Sequence, residues 1–379
     1  MKKVLFITHD DMSGGSSQSL LAQVEFLKTK KGIDPIVVTW KENSLTENLR
    51  KKGIQCCAVM YDFTSVWTRN ILLHKIKRPY YRLFYNWLAF RSLRKQIDFS
   101  TISLIVSNSS VIDLGAYLHR KLQIPHIWYL REFGDLDFNI LSYVKNLPRY
   151  IDSNSDGIIA VSNAVAEHWN NRGVKKSIEV IYNGVNSKNV TISNFSKDSI
   201  VNICMCGRLC PAKGQLWAIK SFAYLSKNVL ERIRLDFFGT GESVEKLRNL
   251  VKRMKMDDYI SFKGFSCNID DELNNYEVGL TLSKAEAFGR ATVEYMNHAL
   301  FVIGTNTGAT LELVQNGQNG ILIEPDNPIQ LARAITDYCE NRNKYRENAI
   351  CSQACSKRKF SVQNNAERAF LFYEKYMER

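Results

Sequence analysis

Two glutamates, Glu286 and Glu294, stand eight residues apart in the segment EAFGRATVE. The surrounding pattern predicts a strand (VGLTLS), a loop with Phe288 and Gly289, a helix over 290–298 and a further strand (FVIGT). A glycine turn before a helix exposes free N–H groups at the positive end of the helix dipole, which suits a phosphate. The glutamates could then bind hydroxyls on either side of a diphosphate, as in a nucleotide-sugar. Taken alone, they could equally be a strand end and a solvated helix residue.

Two basic residues, Arg208 and Lys213, lie in the turn between a predicted strand (CMCGRL) and a predicted helix (QLWAIKSFAYL). Arginine offers a planar fork of donors and lysine a compact charge, and together they can neutralise a diphosphate. If the diphosphate is a leaving group, this charge stabilises the negative charge that grows in the transition state. The alternative is two solvated basic residues in a loop, but their coincidence with the glutamate pair favours the diphosphate site.

The stretch EAFGRATVEYMNHALFVIGTNTGATLELVQNGQNGILIEPDNPIQLARAI resembles the donor-binding half of retaining glycosyltransferases of family 4, which have the GT-B fold. The E-x7-E pair of that family is matched by Glu286 and Glu294. Its Gly-Arg…Lys-Gly signature is matched by Gly207-Arg208 and Lys213-Gly214. A downstream turn and strand pattern is matched by Gly304, Gly308, Glu312, Gly317 and Gly320. The resemblance extends over roughly residues 181–361.

This resemblance implies retaining transfer of a hexosyl or N-acetylhexosaminyl group from a nucleoside-diphosphate-sugar, with UDP favoured, to an acceptor hydroxyl. It further implies bacterial capsular or surface polysaccharide synthesis on a lipid-linked glycan, without a cofactor or a metal. Arg208, Lys213 and Glu286 would carry the catalysis, with the leaving phosphate helping to deprotonate the acceptor. Glu294 would bind the ribose, Glu286 the sugar hydroxyls, and the backbone of 288–289 the sugar or phosphate. The alternatives are a sugar-nucleotide epimerase or phosphorylase, or a non-catalytic sugar-nucleotide or membrane-binding protein.

Further glycine turns complete the expected donor site. Gly14 and Gly15, directly after the first strand, permit close approach of a phosphate or acceptor, although a plain βα turn is an alternative. They do not form the three-glycine dinucleotide fingerprint, and no acidic residue ends the second strand (IVVTW), which argues against a nicotinamide enzyme. By resemblance, the turn with Gly239 and Gly241 lies near the nucleotide and the Gly264-Phe265 turn contacts the base, with simple βα turns again the alternative. The expected donor-binding set comprises Gly14, Gly15, Gly239, Gly241, Gly264, Phe265, Phe288, Gly289, Arg290 and Glu294.

The segment HIWYLREFGDLD carries further polar candidates. Many family members place a histidine at the end of this strand, touching the donor sugar, and Arg131-Glu132 occupy that place here. We expect Arg131 or Glu132 to face the cleft and contact the sugar or acceptor, whereas His126 is a packed strand residue. Asp135 and Asp137 formally make an Asp-x-Asp pattern that could hold a divalent metal. Because Arg208 and Lys213 already supply that charge, we interpret the aspartates as loop polarity and expect no metal.

Strand-like and helix-like runs alternate along all 379 residues, from KVLFITHD and SSQSLLAQVEFLKTKKG to FVIGT and GILIEP. This alternation predicts parallel sheets covered by helices on both faces. A polar segment (NSKNVTISNFSKDS) predicts an interdomain linker at 187–199. We therefore expect an α/β protein of two Rossmann-like domains facing a cleft. The acceptor-side domain would span 1–186 and the nucleotide-sugar-binding domain 200–361. The resemblance implies that a C-terminal helix, 362–379, returns to the first domain.

The composition, 45% hydrophobic and 23% charged, is typical of a soluble globular protein. The N-terminal apolar run VLFIT is too short for a secretory signal, and no segment approaches the ~20 apolar residues of a spanning helix. Nine irregularly placed cysteines indicate free thiols in a reducing compartment. Cys204, Cys206 and Cys210 lie in and after a strand-like run without a fourth ligand and are interpreted as structural. These features predict a cytoplasmic location.

The net charge of +13 favours nucleic acid, an anionic membrane or a phosphate-rich ligand. No nucleic-acid-binding motif accompanies it, so nucleic acid is not an expected partner. Residues 67–97 mix basic and aromatic residues without one acidic residue, which is typical of a segment at the inner face of an anionic membrane. The alternative is a pair of amphipathic helices whose aromatic faces fill the core. The charges of this segment are Arg69, Lys75, Lys77, Arg78, Arg82, Arg91, Arg94 and Lys95.

Overall fold

The structure, a computed structural model, describes residues 2–11, 14–66, 71–188, 190–191, 195 and 199–378, with the helix assignment alone for 71–79. The chain forms two compact units. The first comprises 1–184 and 362–379, and the second comprises 185–361. The first boundary thus falls two residues before the predicted 186. Of the predicted linker 187–199, residues 189, 192–194 and 196–198 lie outside the described part of the chain.

The first unit is built on a parallel sheet. Within the described residues, its seven strands follow the order β3-β2-β1-β5-β6-β8-β9. Its central strands are apolar on both faces: Val4, Leu5, Phe6 and Ile7 of β1 are all fully buried. Such two-sided burial is expected of a parallel sheet with helices on both faces. The strands described for this unit, of which β4 and β7 lie outside the seven-stranded sheet, are β1 (Lys3–Thr8), β2 (Asp34–Thr39), β3 (Gln55–Ala58), β4 (Ser65–Val66), β5 (Ile102–Ser107), β6 (His126–Leu130), β7 (Leu141–Ser142), β8 (Gly157–Ala160) and β9 (Ile178–Val180).

Helices connect these strands, and β4 and β7 pair separately as a short antiparallel ribbon. The longest connections are α1, which ends where Gly32 adopts a left-handed conformation (φ 63°), and α3. The helices are α1 (Gly15–Lys31), α2 (Ser44–Lys51), α3 (Ile71–Leu93), α4 (Leu114–Leu122), α5 (Asp135–Phe138), α6 (Leu147–Ser153) and α7 (Asn163–Asn171).

The second unit repeats this architecture. The six strands described for it form a parallel sheet in the order β12-β11-β10-β13-β14-β15. That is the strand order of a Rossmann sheet. The order reverses between the first and fourth strands, here β10 and β13, and this position is the switch point of the sheet. The strands are β10 (Val201–Cys206), β11 (Ile233–Phe238), β12 (Ile260–Gly264), β13 (Val278–Thr281), β14 (Phe301–Thr305) and β15 (Gly320–Ile323).

The remaining helices cover this second sheet, and the last of them belongs to the first unit. Tyr373 of that last helix packs its ring against Phe6 of β1, and its hydroxyl donates to Gln23 of α1. The helices are α8 (Gln215–Ser221), α9 (Lys227–Glu231), α10 (Val244–Met254), α11 (Ile269–Leu273), α12 (Arg290–Asn297), α13 (Thr310–Leu313), α14 (Pro328–Glu340), α15 (Arg342–Lys359) and α16 (Val362–Met377).

Both units are therefore Rossmann-like, which confirms the predicted α/β fold with two such domains. Within the described residues, no helix combines the length and the apolar character needed to cross a membrane.

Candidate functional site

The second sheet places the strongest sequence candidates on either side of its switch point. Arg208 and Lys213 follow the carboxyl end of β10, and Glu286 follows that of the neighbouring strand β13. Ligands of open α/β sheets bind outside the carboxyl ends of the strands at such a switch point. Residues that are 73 positions apart in sequence, Lys213 and Glu286, meet there directly.

Lys213 and Glu286 form a mostly buried ion pair at this edge. The Lys213 Nζ donates to Glu286 Oε2 over 2.7 Å, and the Ser283 hydroxyl donates to the same oxygen over 2.8 Å. Burial by itself raises the pKa of the Glu286 carboxyl. The charge and hydrogen bond of Lys213, with the hydrogen bonds from Ser283 and the Gly289 N–H, outweigh burial, so the pKa lies below its ordinary value. Glu286 is therefore held as a carboxylate that accepts hydrogen bonds.

Gly214 explains how Lys213 reaches Glu286. Gly214 has a left-handed backbone (φ 84°), and a Cβ there would lie 2.3 Å from the carbonyl oxygen of Leu282, just beyond β13. A side chain cannot occupy that space, so the turn before α8 lies directly against the end of β13. Glu286 is fixed from the other side, since its carbonyl accepts from the Ala309 N–H over 2.8 Å.

Helix α12 carries the second glutamate. Gly289 precedes it in a left-handed conformation (φ 81°), and among the described residues no side chain caps its N-terminus. Tyr295 ties the helix to the site, because its hydroxyl accepts from the Cys206 N–H at the end of β10 over 2.6 Å. Gly279 of β13 allows this packing, since a Cβ there would lie 2.2 Å from the Tyr295 ring. The N–H groups of the first turn of α12 are thus directed to the site and available to an anion.

Glu294 lies one turn into α12 and pairs with Arg290, with 2.9 Å between Oε1 and Nε. Only 15% of the Glu294 side chain is exposed. Burial raises the pKa of its carboxyl above the ordinary value, because the ion pair with Arg290 only partly offsets the loss of hydration. A hydroxyl that donates to this carboxylate would replace part of the lost hydration. Phe288, by contrast, turns its ring into the core, against Phe360.

Arg208 lies in the open part of the edge, with 70% of its side chain exposed. Its Nη2 lies 3.1 Å and its Nε 3.2 Å from Oε2 of Glu242, in the turn after β11. Each of the three cations predicted at this edge is therefore paired with a carboxylate: Arg208 with Glu242, Lys213 with Glu286, and Arg290 with Glu294.

The predicted donor-binding turns after β10, β11 and β12 are joined by hydrogen bonds. The Gly207 N–H donates to the Phe238 carbonyl over 2.9 Å, and the Gly239 N–H donates to the Gly264 carbonyl over 2.7 Å. A Cβ on Gly239 would lie 2.0 Å from the Gly207 carbonyl oxygen. Glycine at position 239 is therefore required by the close approach of two turns, whatever ligand is bound.

Glycine at position 241 is likewise required by the close approach of two turns. A Cβ there would lie 2.3 Å from the Leu209 carbonyl oxygen, and the Leu209 N–H donates to the Thr240 carbonyl. Phe265, after Gly264 (φ 77°), leaves 75% of its surface exposed beside these turns. An exposed aromatic ring there offers a surface on which a nucleobase can stack.

In the first unit, the predicted glycine pair begins α1. Gly14 is the N-cap, with no side-chain cap among the described residues, and Gly15 is the first helical residue. The Ser17 hydroxyl donates to the Gly14 carbonyl, and the Ser16 hydroxyl donates to Asp10 over 2.7 Å. Ser13, the other flanking serine, lies outside the described residues. The N-terminus of a helix of 17 residues thus lies at the carboxyl end of β1.

Arg131 and Glu132 are both almost fully buried at the carboxyl end of β6. The Arg131 guanidinium lies over the Tyr129 ring and donates to the amide oxygens of Asn108 and Asn183 over 2.7 and 2.6 Å. Glu132 accepts from the hydroxyl of Ser109 and from the N–H and hydroxyl of Ser110. Both side chains are thus held by the protein, with 8% of Arg131 left exposed.

His126 is fully buried in β6, as expected of a packed strand residue, with its ring nitrogens bonded to Asn154 and Ser107. Burial lowers its pKa to about 3. Asp135 and Asp137 belong to the single turn α5 rather than to a loop. Asp137 accepts from the N–H groups of residues 133 and 134, and burial together with Glu132 raises its pKa to about 7. Asp137 therefore fixes the turn, a role that the interpretation as loop polarity did not include.

Two polar residues of the second site were given no role from the sequence. Ser283 donates to Glu286, and its position three residues before that glutamate, at the end of a strand run, is the signal that could have indicated it. Glu242 pairs with Arg208 from the last position of the turn GTGE. Within the described residues, no group of three or more His, Cys, Asp and Glu side chains is arranged to hold a metal.

Comparison with known proteins agrees with this geometry. A family model described as "Glycosyl transferases group 1" matches residues 189–352, and one described as "Glycosyltransferase Family 4" matches residues 13–189. An uncharacterized glycosyltransferase of Methanocaldococcus jannaschii is 28% identical over 313 residues, which cover 78% of this chain and 83% of that protein. The poly(glycerol-phosphate) alpha-glucosyltransferase of Bacillus subtilis is 29% identical over 171 residues, 45% of this chain and 23% of that protein.

Among solved structures, Anabaena Alr3699/HepE in complex with UDP-glucose superimposes with a TM-score of 0.79 at 20% identity, over 99% of this chain and 100% of that chain. This likeness confirms the predicted GT-B fold. The two family models together match residues 13–352. The chain therefore belongs to the group 1 and family 4 glycosyltransferases.

Proposed function

We propose that this glycosyltransferase moves a hexosyl or N-acetylhexosaminyl group from a UDP-sugar, with retention of configuration, to a hydroxyl of a lipid-linked glycan in bacterial surface polysaccharide synthesis. The observation that carries this proposal is the cluster at the switch point of the second sheet. There, Lys213 and Glu286 meet across 2.7 Å, close to the exposed Arg208 and to the N-terminus of α12, which no side chain of the described residues caps. Cations, the N–H groups at a helix N-terminus and a carboxylate in one place suit a diphosphate with a sugar attached.

The residues of the second unit have separate roles in this proposal. Arg208 and Lys213 bind the diphosphate and stabilise the charge that develops on it as the sugar leaves. The N–H groups before and in the first turn of α12 bind the sugar or a phosphate. Glu286 accepts hydrogen bonds from the sugar hydroxyls, and Glu294 accepts from the ribose. The departing phosphate takes the proton of the acceptor hydroxyl.

Two observations support uridine as the nucleoside: the similarity to the HepE structure and the exposed ring of Phe265. The HepE structure holds UDP-glucose, and its chain matches this one along its whole length. The exposed ring of Phe265 provides a stacking surface next to the turns that follow β11 and β12. In the first unit, we propose that Gly14, Gly15 and the exposed part of Arg131 contact a phosphate or the acceptor.

A screen of nucleotide-sugars tests the reaction class. With UDP-glucose, UDP-galactose, UDP-N-acetylglucosamine and GDP-mannose, we expect one UDP-sugar to raise the melting temperature and to release UDP slowly by hydrolysis. The released or transferred sugar should keep the anomeric configuration of the donor. An epimerase would instead interconvert nucleotide-sugars without releasing UDP, and a phosphorylase would require inorganic phosphate. Stabilisation without turnover, in the presence of acceptor glycans, would indicate a non-catalytic binding protein.

The same assay tests independence from metal, because Arg208 and Lys213 supply the charge that a metal would provide. We expect EDTA to leave turnover essentially unchanged. Loss of activity in EDTA, together with the same loss in Asp135→Asn or Asp137→Asn, would establish the metal-dependent alternative.

The membrane partner is proposed on α3. The helix is anchored through Asp113, which accepts from Asn86 over 2.7 Å and pairs with Arg82 at 3.4 Å. One face, with Phe90 and Leu93, is buried in the first unit. The other face exposes Tyr80, Tyr81, Leu83, Phe84, Trp87 and Leu88. The aromatic residues described for this segment thus do not all fill the core, and one helix stands where the alternative interpretation expected a pair.

Charge favours an anionic lipid surface as the occupant of this exposed face. Arg91, Arg94 and Lys95 are exposed near its end, and Arg91 lies over the Trp87 ring. The predicted charge Arg69 lies outside the described residues, and the side chains of Lys75, Lys77 and Arg78 are not described. Since Arg82 is paired with Asp113, it is not counted among the membrane-facing charges. We propose that the protein is cytoplasmic and attaches through α3 to the inner face of the membrane.

Liposome sedimentation tests this attachment. Each lysine or arginine near an anionic surface contributes ~1 kcal/mol, so replacing Lys75, Lys77, Arg91 and Arg94 together by Gln should abolish most of the binding. Binding should require anionic lipid and should fade between 0.1 and 1 M salt, as the Debye length falls from ~10 to ~3 Å. A charge-matched control replaces four exposed lysines of the second unit by Gln: Lys227, Lys246, Lys252 and Lys255. Equal binding to neutral vesicles, or an equal loss in the control, would exclude α3 as the membrane contact.

A further inference from the structure

We propose that Glu242 is a counter-ion of Arg208 that a nucleoside diphosphate must displace, and that it thereby weakens the binding of the donor and of the diphosphate product. This inference rests on the proposed function, in which Arg208 binds the diphosphate. It adds a residue whose removal strengthens binding, whereas removal of the other charged residues at the site weakens it.

The geometry of the pair is set by the backbone around it. Arg208 follows β10 and Glu242 follows β11, and Glu242 Oε2 lies within 3.2 Å of two guanidinium nitrogens. The two turns are locked together, since the Leu209 N–H donates to the Thr240 carbonyl over 2.9 Å and the Ser243 N–H donates to the Leu209 carbonyl over 3.0 Å. The backbone at Glu242 is therefore held beside the turn that carries Arg208.

Glu242 differs from the other two carboxylates of the edge. Glu286 and Glu294 are each 15% exposed, and the proposed function gives each of them ligand hydroxyls to bind. Glu242 has 54% of its side chain exposed, and its partner Arg208 is 70% exposed, more than Lys213 or Arg290. A carboxylate at this position occupies the donor fork of Arg208 that would otherwise face a phosphate.

The size of the effect follows from the exposure of the pair. Exposed ion pairs are weak, so a bidentate diphosphate can displace Glu242 from Arg208. The competition should still reduce the affinity for UDP by roughly two- to five-fold at low ionic strength. A weaker hold on the product would speed its release after transfer.

Isothermal titration with UDP tests the proposal directly. Glu242→Gln keeps the shape and the hydrogen-bonding oxygen but removes the charge. We expect it to bind UDP roughly three-fold more tightly than the wild type at low salt, with the gain fading in high salt. Glu245→Gln is the matched control. Glu245 is exposed on α10, three residues after Glu242, so the substitution removes the same net charge but leaves the Arg208 ion pair in place. It should leave the affinity for UDP within error of the wild type.

A double-mutant cycle separates the counter-ion role of Glu242 from the proposed diphosphate-binding role of Arg208. In an Arg208→Gln background, Glu242→Gln should no longer tighten UDP binding, because the competed cation is gone. Weaker binding by Glu242→Gln alone, or an equal gain in Glu245→Gln, would overturn the counter-ion role while leaving the diphosphate site intact. If Arg208→Gln alone leaves UDP affinity unchanged, the proposed function of Arg208 fails first.

Discussion

Arg208→Ala and Lys213→Ala should each lower turnover by at least ~100-fold. Each substitution removes a positive charge that stabilises the negative charge developing on the departing diphosphate. The structure brings both cations to the carboxyl end of β10, where Lys213 pairs with Glu286. The rate of UDP release from the donor, measured with the acceptor present, checks this expectation. A lysine of the same unit that is remote from the edge, Lys227→Ala, serves as the control and should retain full turnover.

Lys213→Ala has a second expected effect, on Glu286. In the wild type, the net lowering of the Glu286 pKa means that the stabilisation from its pairing is fully present above the ordinary value of 4.5 and is lost as the pH falls below it. Without Lys213, burial is opposed only by hydrogen bonds, so the pKa rises and the carboxyl takes up a proton at higher pH. The remaining activity of Lys213→Ala should therefore begin to fall at a higher pH than that of the wild type. Near-wild-type turnover in both alanine variants would contradict leaving-group stabilisation by these residues.

Glu294→Ala should weaken UDP binding by ~1.5–3 kcal/mol, since the ribose loses a charged acceptor in a mostly buried site. That loss corresponds to a dissociation constant roughly 10- to 150-fold higher. Calorimetric titration of UDP measures it. Because the substitution also leaves Arg290 without its partner, Glu294→Gln is measured beside it and should retain part of the affinity through its amide oxygen. Glu245→Ala should bind as the wild type does, and unchanged affinity in Glu294→Ala would exclude the ribose contact.

The regular parts of this fold could be predicted from local pattern. Apolar runs bounded by glycine turns indicated β10, β13 and β14, and the helix predicted over 290–298 occupies Arg290–Asn297. The reason is that buried parallel strands and amphipathic helices leave periodic signatures in consecutive residues. The position of Lys213 beside Glu286 was also foreseeable, because both follow strands that flank a switch point.

Contacts between distant residues were not foreseeable. Arg131 or Glu132 was expected to face a cleft, and each of them is hydrogen-bonded to residues that follow other strands, Asn183 and Ser110 among them. Whether either contacts a sugar or acceptor stays a prediction. The pairing of Glu242 with Arg208 likewise depends on the register of two turns, which no local pattern encodes. The described part of the cationic aromatic segment, residues 80–97, has both a buried and an exposed face, and only the packing of Phe90 shows which of these residues remain exposed.

The glycines of the turn after β11, Gly239 and Gly241, can be explained either by contact with a nucleotide or by close backbone packing. Gly239 and Gly241 were expected from resemblance to lie near the nucleotide. The structure requires glycine at both positions because a Cβ would meet the carbonyl oxygens of Gly207 and Leu209. Packing therefore explains these residues without a ligand, and it also holds Arg208 at the edge where a ligand would bind.

The central claim is that the carboxyl edge of the second sheet binds a nucleoside diphosphate, and backbone hydrogen exchange with and without saturating UDP tests it most directly. The first N–H groups of α12 lack intrahelical partners and a side-chain cap among the described residues, so they should exchange rapidly until a phosphate accepts from them. We expect UDP to slow exchange in peptides that span 207–214 and 288–294. The first turn of α14, which Asn327 already caps, should be unaffected. Slowed exchange confined to residues 1–184, or none in 288–294 at saturating UDP, would contradict the claim.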